Sequence, residues 1–210
     1  MARPVLFVLA GVNGAGKSSI GGHLLERQGL TWFNPDTFAR ELVAASGCDR
    51  DTANARAWHE SLRRLDEAIA GRHSHAFETT LGGRTMAARI ADATATHDVL
   101  LWFCGLASPD LHVRRVRARV KAGGHDIPED RIRHRYPRAL QHLIELMPRL
   151  THLQVHDNST DVEAGASIPD PTLVLEMESG RLTWPSPDDA NALMKTPDWA
   201  KPLMEAALVG

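Results

Sequence analysis

Residues 5–18 read VLFVLAGVNGAGKS. Val5 to Ala10 is a short, unbroken apolar run, the pattern of a strand buried on both faces in a parallel sheet. Gly11-Val12-Asn13-Gly14-Ala15-Gly16-Lys17-Ser18 then fits G-x-x-x-x-G-K-S at every fixed position. Strand, glycine-rich turn and helix start are the context such a loop needs to cradle phosphates. The glycines let backbone N–H groups curl inward, and the helix N-terminus adds a favourable dipole. Lys17 is expected at the β and γ phosphates and Ser18 on Mg²⁺. Asn13 is expected to tune the loop, and Ser19 to cap the helix or meet an α-phosphate.

Outward from the loop, apolar runs alternate with helical patterns. Lys17 to Arg27 reads as a helix and Leu30 to Phe33 as a second strand, turning at Asn34-Pro35. Trp58, Leu62, Leu65 and Ile69 mark a helix from about Thr52 to Ala70. Further strands are expected near Ser74 to Phe77, Val99 to Cys104 and Leu153 to His156. Helices are expected near Thr85 to Ala95, Pro109 to Ala122, and onward from Pro128, with Pro137 as a kink. Thr172 to Glu178 and Arg181 to Trp184 flank Ser179-Gly180, a hairpin signal. The expected fold is a three-layer α/β P-loop kinase-like fold with a mainly parallel sheet and a helical lid. The expected kinase domain spans 1–184, with the lid at about 110–138. Residues 185–210 are expected to be a tail, holding a short helix or partly disordered.

Composition narrows the classes. A net charge of -2 gives no general pull toward nucleic acid or acidic membranes. No apolar run approaches the length of a membrane span. The two cysteines, Cys48 and Cys104, suit a reducing compartment, so the cytoplasm is the expected location. Eleven histidines invite a metal site, but His73/His75 and His152/His156 lack a third ligand.

Carboxylates at strand ends are the candidates for chemistry. Asp36 follows the second strand and is expected to orient an acceptor hydroxyl and take its proton; the plainer reading is a helix cap. Glu78 leaves the next strand beside Thr79 and Thr80, and is expected on substrate hydroxyls or on water bound to Mg²⁺. The strand Leu100 to Cys104 ends at Gly105 with no acid, which argues against a motor ATPase. Arg114, Arg115, Arg117 and Arg119, then Arg131, Arg133, Arg135 and Arg138, form two basic helices around Gly123-Gly124-His125. Closing such a pair would bring positive charge to a transferring phosphoryl group and exclude water. His125 is expected to fix the lid or touch the substrate. Asp157-Asn158-Ser159 is expected near an adenine or ribose, or as an Asx turn.

GVNGAGKSS (11–19), FNPDTFA (33–39), FETTLGG (77–83), RRVRARVKAGGHDIPEDRIRHRYPRAL (114–140) and VHDNS (155–159) together resemble the zeta-toxin-like P-loop kinases, in particular their compact branch of predicted ATPases. The resemblance covers roughly residues 4 to 160. It implies ATP and Mg²⁺ as cofactors and transfer of the γ-phosphoryl group to a small-molecule hydroxyl, in the toxins that of a UDP-N-acetyl amino sugar. It implies Lys17 as the loop lysine, Ser18 as the metal-binding hydroxyl, Asp36 as catalytic base and Glu78 as substrate-side glutamate. Arg119 and Arg135 best match the lid arginines, with Arg115 as alternate for the first. Such a kinase admits an antitoxin or regulatory protein as partner. Thr79-Thr80 stands where the toxins carry Gly-Thr, and the chain is compact. A nucleotide-dependent switch without a phosphorylated acceptor is the alternative, and a nucleic-acid end kinase a third.

Overall fold

The computed structural model describes residues 2–17, 31–160 and 170–209. Its single sheet has six strands: β1 (Val5–Ala10), β2 (His75–Thr79), β3 (Asp98–Gly105), β4 (His152–Asp157), β5 (Thr172–Glu178) and β6 (Arg181–Trp184). Their order is β2-β1-β3-β4-β5-β6, parallel through the first four and antiparallel at the last two. The α/β architecture and mainly parallel sheet agree with the sequence reading. The hairpin closes on Ser179 and Gly180 at φ 50° and 77°, the pair of left-handed residues that a two-residue turn of this hand requires.

Seven α-helices are described: α1 (Pro35–Ser46), α2 (Arg50–Gly71), α3 (Arg84–Ala93), α4 (Pro109–Lys121), α5 (Glu129–Leu146), α6 (Ala190–Met194) and α7 (Lys201–Val209). Helix α2 starts earlier than its apolar stripe suggests, because Asp49 caps it by accepting from the Thr52 N–H. Helix α5 runs through Pro137 to Leu146. Pro128 stands just before the first helical residue rather than inside the first turn. The second strand shrinks to one bridge, Phe33 to Phe77, and Leu30 lies outside the described residues.

Strand alternation sets the core. Leu6, Val8 and Ala10 share one face, in register with Val99, Leu101 and Phe103 on β3. That face joins one buried cluster with Ile90 of α3, Val113 and Val116 of α4, Leu143 of α5, and Leu203 of α7. Because the first four strands are parallel, Gly11, Thr80, Leu106 and Asn158 all leave the sheet on the same side, where ligands of open α/β sheets sit.

Residues 198–209 are part of this packing. The Trp199 ring lies directly on Gly105, where an added Cβ would meet Cζ3 at 2.4 Å. Its Nε1 donates to Asp157 Oδ1 at 3.1 Å. Gly105→Ala should therefore overpack the junction and lower stability by about 1–3 kcal/mol. Trp199→Ala should cost about 3–5 kcal/mol through cavity formation. Urea unfolding midpoints at unchanged slope would check both.

Candidate functional site

The loop after β1 takes its shape from three glycines with positive φ: Gly11 at 143°, Gly14 at 86° and Gly16 at 87°. At Gly11 a side chain would also collide with the β3 backbone, its Cβ falling 2.3 Å from the Cys104 carbonyl oxygen. Two side chains brace the loop from outside. Asn158 Nδ2 donates to the Ala15 carbonyl at 2.8 Å. His112 Nδ1 lies 2.9 Å from the Asn13 carbonyl, which can only accept, so that nitrogen carries the proton. Asn158 is thus a brace under the loop. Its neighbour Asp157 makes the Asx turn, accepting from the Ser159 N–H at 3.2 Å.

Lys17 and Glu78 are both only 6% exposed, and Lys17 Nζ lies 3.3 Å from Glu78 Oε1. Asn34 Nδ2 donates to the other carboxylate oxygen at 2.9 Å. The Asn34 Oδ1 accepts from the N–H groups of Asp36 (2.9 Å) and Thr37 (3.1 Å), so the cap of α1 is Asn34, and Asp36 is free of that duty in the first turn. Pro35 at the first helical position fixes the entry. One short segment therefore ties the glutamate at the end of β2 to the start of α1.

These groups open onto one cavity of about 340 Å³. Asn13 and Lys17 line it from the loop, Asp36 from α1, and Glu78 and Thr80 from the end of β2. His125, Arg131 and Arg135 line it as well, from the turn after α4 and from α5. Thr80 keeps its hydroxyl near its own turn, 3.5 Å from the Gly82 N–H. Burial lowers the His125 pKa against the opposing pull of Asp36. Burial likewise lowers that of Arg135, with Arg131 adding to it. Arg119 is not among the lining residues; it turns away, donating Nη2 to the His125 carbonyl at 3.1 Å. Ser18 and Ser19 lie outside the described residues.

The arginine cluster divides by partner. Arg117 pairs with Glu129 at 2.7 Å, and Arg133 with Asp110 at 2.6 Å and Glu129 at 2.8 Å. Arg117–Glu129 and Arg133–Asp110 link α4 to α5 on the exposed side, and Arg133–Glu129 is a pair within α5; such contacts contribute little individually. Arg115 donates to the Thr160 carbonyl at 2.9 Å. Arg131 and Arg135, one turn apart, face the cavity.

One wall was not anticipated. Arg50, Asn54, Trp58 and Ser61 project from α2 into the same cavity. Trp58 is 44% exposed although its apolar spacing reads as core. The positions 50, 54, 58 and 61 do follow a helical stripe. That signal was available, but it mixes polar and aromatic residues and so carries no apolar period. Elsewhere, burial pushes the Cys104 thiol up to about 11, which leaves it inert near neutral pH. His152 pairs with Glu176 at 2.8 Å. Among the described residues no group of three or more His, Cys, Asp or Glu is placed to hold a metal ion, and no helix is long and apolar enough to cross a membrane.

The AAA_33 family of AAA domains matches residues 6–139, well over half of the chain. The chain belongs to this AAA domain family. Its fold is a P-loop nucleotide-binding, kinase-like one. The AvrRxo1-ORF1:-ORF2 complex with ATP is similar at 16% identity and a TM-score of 0.61, over 99% of this chain and 64% of that one. The PezAT toxin-antitoxin system of Streptococcus pneumoniae is similar at 14% identity and a TM-score of 0.55, over 75% of this chain and 68% of that one. The Pnkp1/Rnl/Hen1 RNA repair complex is similar at 19% identity and a TM-score of 0.52, over 69% of this chain and 47% of that one. This AAA domain spans 65% and 64% of the length of two of the AvrRxo1 chains it matches. No curated protein sequence matches it significantly.

The bracing histidine gives a pH signature. Burial, with Lys17 and Arg115 close by, pushes His112 down to about 4. Between roughly pH 6.5 and that value the unfolded chain binds a proton that the folded chain refuses. Stability should therefore fall on acidification through this window, by at most about 3 kcal/mol from this group. The variant His112→Asn keeps an N–H donor without a titrating ring. Unfolding free energies measured from pH 7 to pH 4 should fall less steeply for it.

Proposed function

We propose that the protein is an ATP- and Mg²⁺-dependent phosphotransferase that moves the γ-phosphoryl group to a hydroxyl of a small molecule. The observation that carries this reading is the single cavity joining the loop residues Asn13 and Lys17 to Asp36, Glu78, Thr80, His125 and Arg135. At about 340 Å³ it suits a small ligand rather than a flat partner surface. A UDP-N-acetyl amino sugar or related metabolite is the proposed acceptor, on the resemblance to zeta-toxin-like kinases.

The residues present fit the cofactor. Backbone N–H groups in a glycine-curled loop, with a buried lysine behind them, are a cradle for phosphate oxygens. Lys17 would hold the β and γ phosphates. Mg²⁺ neutralises charge on the phosphates when bound, and it commonly takes one or two protein ligands with water completing its shell. Ser18 is the proposed protein ligand, and Glu78 at the end of β2 is proposed to meet water on the ion. Asp36 would orient the acceptor hydroxyl and receive its proton as the new O–P bond forms and the bond from the γ phosphorus to the bridging oxygen breaks, releasing ADP. Arg135 would face the transferring group from α5, and Arg119 would join it if residues 110–138 close as a lid. The buried face of α4 would hold that helix in place, so the closing part would be the turn at 122–128 and the start of α5, and Arg119 would reach the site by its side chain swinging from the His125 carbonyl. Arg50, Asn54 and Trp58 would form the acceptor's outer wall.

The proposed setting is the cytoplasm, and an antitoxin or regulatory protein is a proposed partner, as in PezAT. The second reading, a switch without an acceptor, would leave the Asp36 side of the cavity unused.

The test is transfer of label from γ-labelled ATP, with Mg²⁺, into a metabolite extract that includes UDP-amino sugars. Label should appear on a new compound, and Asp36→Asn should slow its formation by about 100-fold or more. Release as free phosphate alone, equal in both proteins, would overturn the assignment of Asp36 and favour the switch.

A further inference from the structure

Asn13 stands at a junction that the glycine-rich motif does not require. It is only 6% exposed, and both of its oxygens are engaged by the helices beyond β3. Its backbone carbonyl accepts from His112 of α4 at 2.9 Å. Its side-chain Oδ1 accepts from Arg135 Nη1 of α5 at 2.7 Å.

Steric detail shows that this approach is built in. A Cβ on Gly14 would sit 2.9 Å from the His112 carbonyl oxygen, so α4 lies against the loop only because residue 14 has no side chain. A Cβ on Gly82 would sit 2.7 Å from Arg135 Cγ and 2.9 Å from its Cβ, so the arginine stem rests on bare backbone after β2. The stem of Arg135 is fixed at Gly82 and its tip at Asn13, and the residue lines the cavity beside Lys17.

The chemistry of the acceptor atom matters. A carboxylate at position 13 would form an ion pair and cancel the charge of Arg135. An amide oxygen gives direction without adding a second counter-charge to that of Asp36. A guanidinium held in this way beside a phosphate loop is set to meet an anionic oxygen that reaches past the loop.

We propose that Asn13 is a positioning residue that aims Arg135 at the terminal phosphate of a bound nucleoside triphosphate, so that the site tells triphosphate from diphosphate. The proposal rests on the reading of the loop as a nucleotide site. It does not depend on any acceptor.

Calorimetric titration with ATP and with ADP, each with Mg²⁺, tests it. The proteins are the wild type, Asn13→Ala, Asn13→Asp, Arg135→Ala and the double variant Asn13→Ala/Arg135→Ala. ADP lacks the terminal phosphate, so its affinity reports an intact loop. The ratio of ADP to ATP dissociation constants reports Arg135. One charge-assisted hydrogen bond predicts a wild-type ratio of about 10 to 100. Arg135→Ala should lower it by about tenfold or more, leaving only the discrimination that Lys17 supplies. Asn13→Ala and Asn13→Asp should each lower it by about tenfold, the first by releasing the guanidinium and the second by neutralising it, while ADP binding persists. The double variant should match Arg135→Ala alone, since both changes act through one contact. The proposal is overturned by a wild-type ratio near one, by an Asn13→Ala ratio equal to the wild type, or by Asn13→Ala weakening ATP and ADP equally. Additive losses in the double variant would also overturn it. Binding of neither nucleotide by the wild type would instead remove the nucleotide reading on which it rests.

Discussion

The buried contact between Lys17 and Glu78 constrains everything around it. Moving two charges out of water costs several kcal/mol per ion, and the mutual attraction offsets this only with good geometry and further hydrogen bonds. Asn34 supplies one by donating to the second carboxylate oxygen. The same Asn34 caps α1 through its other amide atom. The lysine of the loop, the end of β2 and the start of α1 are therefore fixed relative to one another by one chain of polar contacts. Asp36, two residues past Asn34, inherits its position at the cavity from that chain.

A second constraint explains an absence. Strand β3 ends without the carboxylate that motor-type ATPases place there. Its last residues are crowded from both sides: the Gly11 backbone presses on the Cys104 carbonyl and the Trp199 ring covers Gly105. No side chain fits at position 105 without displacing the indole. The acids that face the cavity come instead from β2, α1 and the helical segments around them. The same crowding brings Trp199 to Asp157, next to the Asn158 that braces the loop, so residues near the C-terminus lie one contact away from the phosphate loop.

Much of this was legible in the sequence because the informative signals are local. The loop pattern, the alternation of apolar runs with helical stripes, and the Ser179-Gly180 turn each depend on residues close in the chain. The positions of Asp36 and Glu78 at one cavity followed from parallel strands ending on one side. What could not be read depends on long-range packing. Asn34 looked like a turn residue, since its second partner is 44 positions away. Arg119 and Arg135 looked equivalent by composition. Only the turn at Gly124, whose Cβ would strike the Arg119 side chain at 2.6 Å, holds the former against its own loop. The α2 wall was hidden because Trp58 satisfies an apolar period while facing a cavity.

The division of the arginines follows a physical rule that composition cannot express. Arg117 and Arg133 are exposed, pair with carboxylates and hold two helices together. Arg135 is half-buried and meets a neutral oxygen. A half-buried cation beside a phosphate loop, held by an amide rather than an acid, would be an unfavourable way to build a scaffold, because Asp36 offsets only part of the desolvation. The arrangement is favourable once an anion occupies the cavity. The electrostatic arrangement of the site thus argues for an anionic ligand on the Arg135 side independently of the glycine-rich motif, and the two lines of argument meet at Asn13.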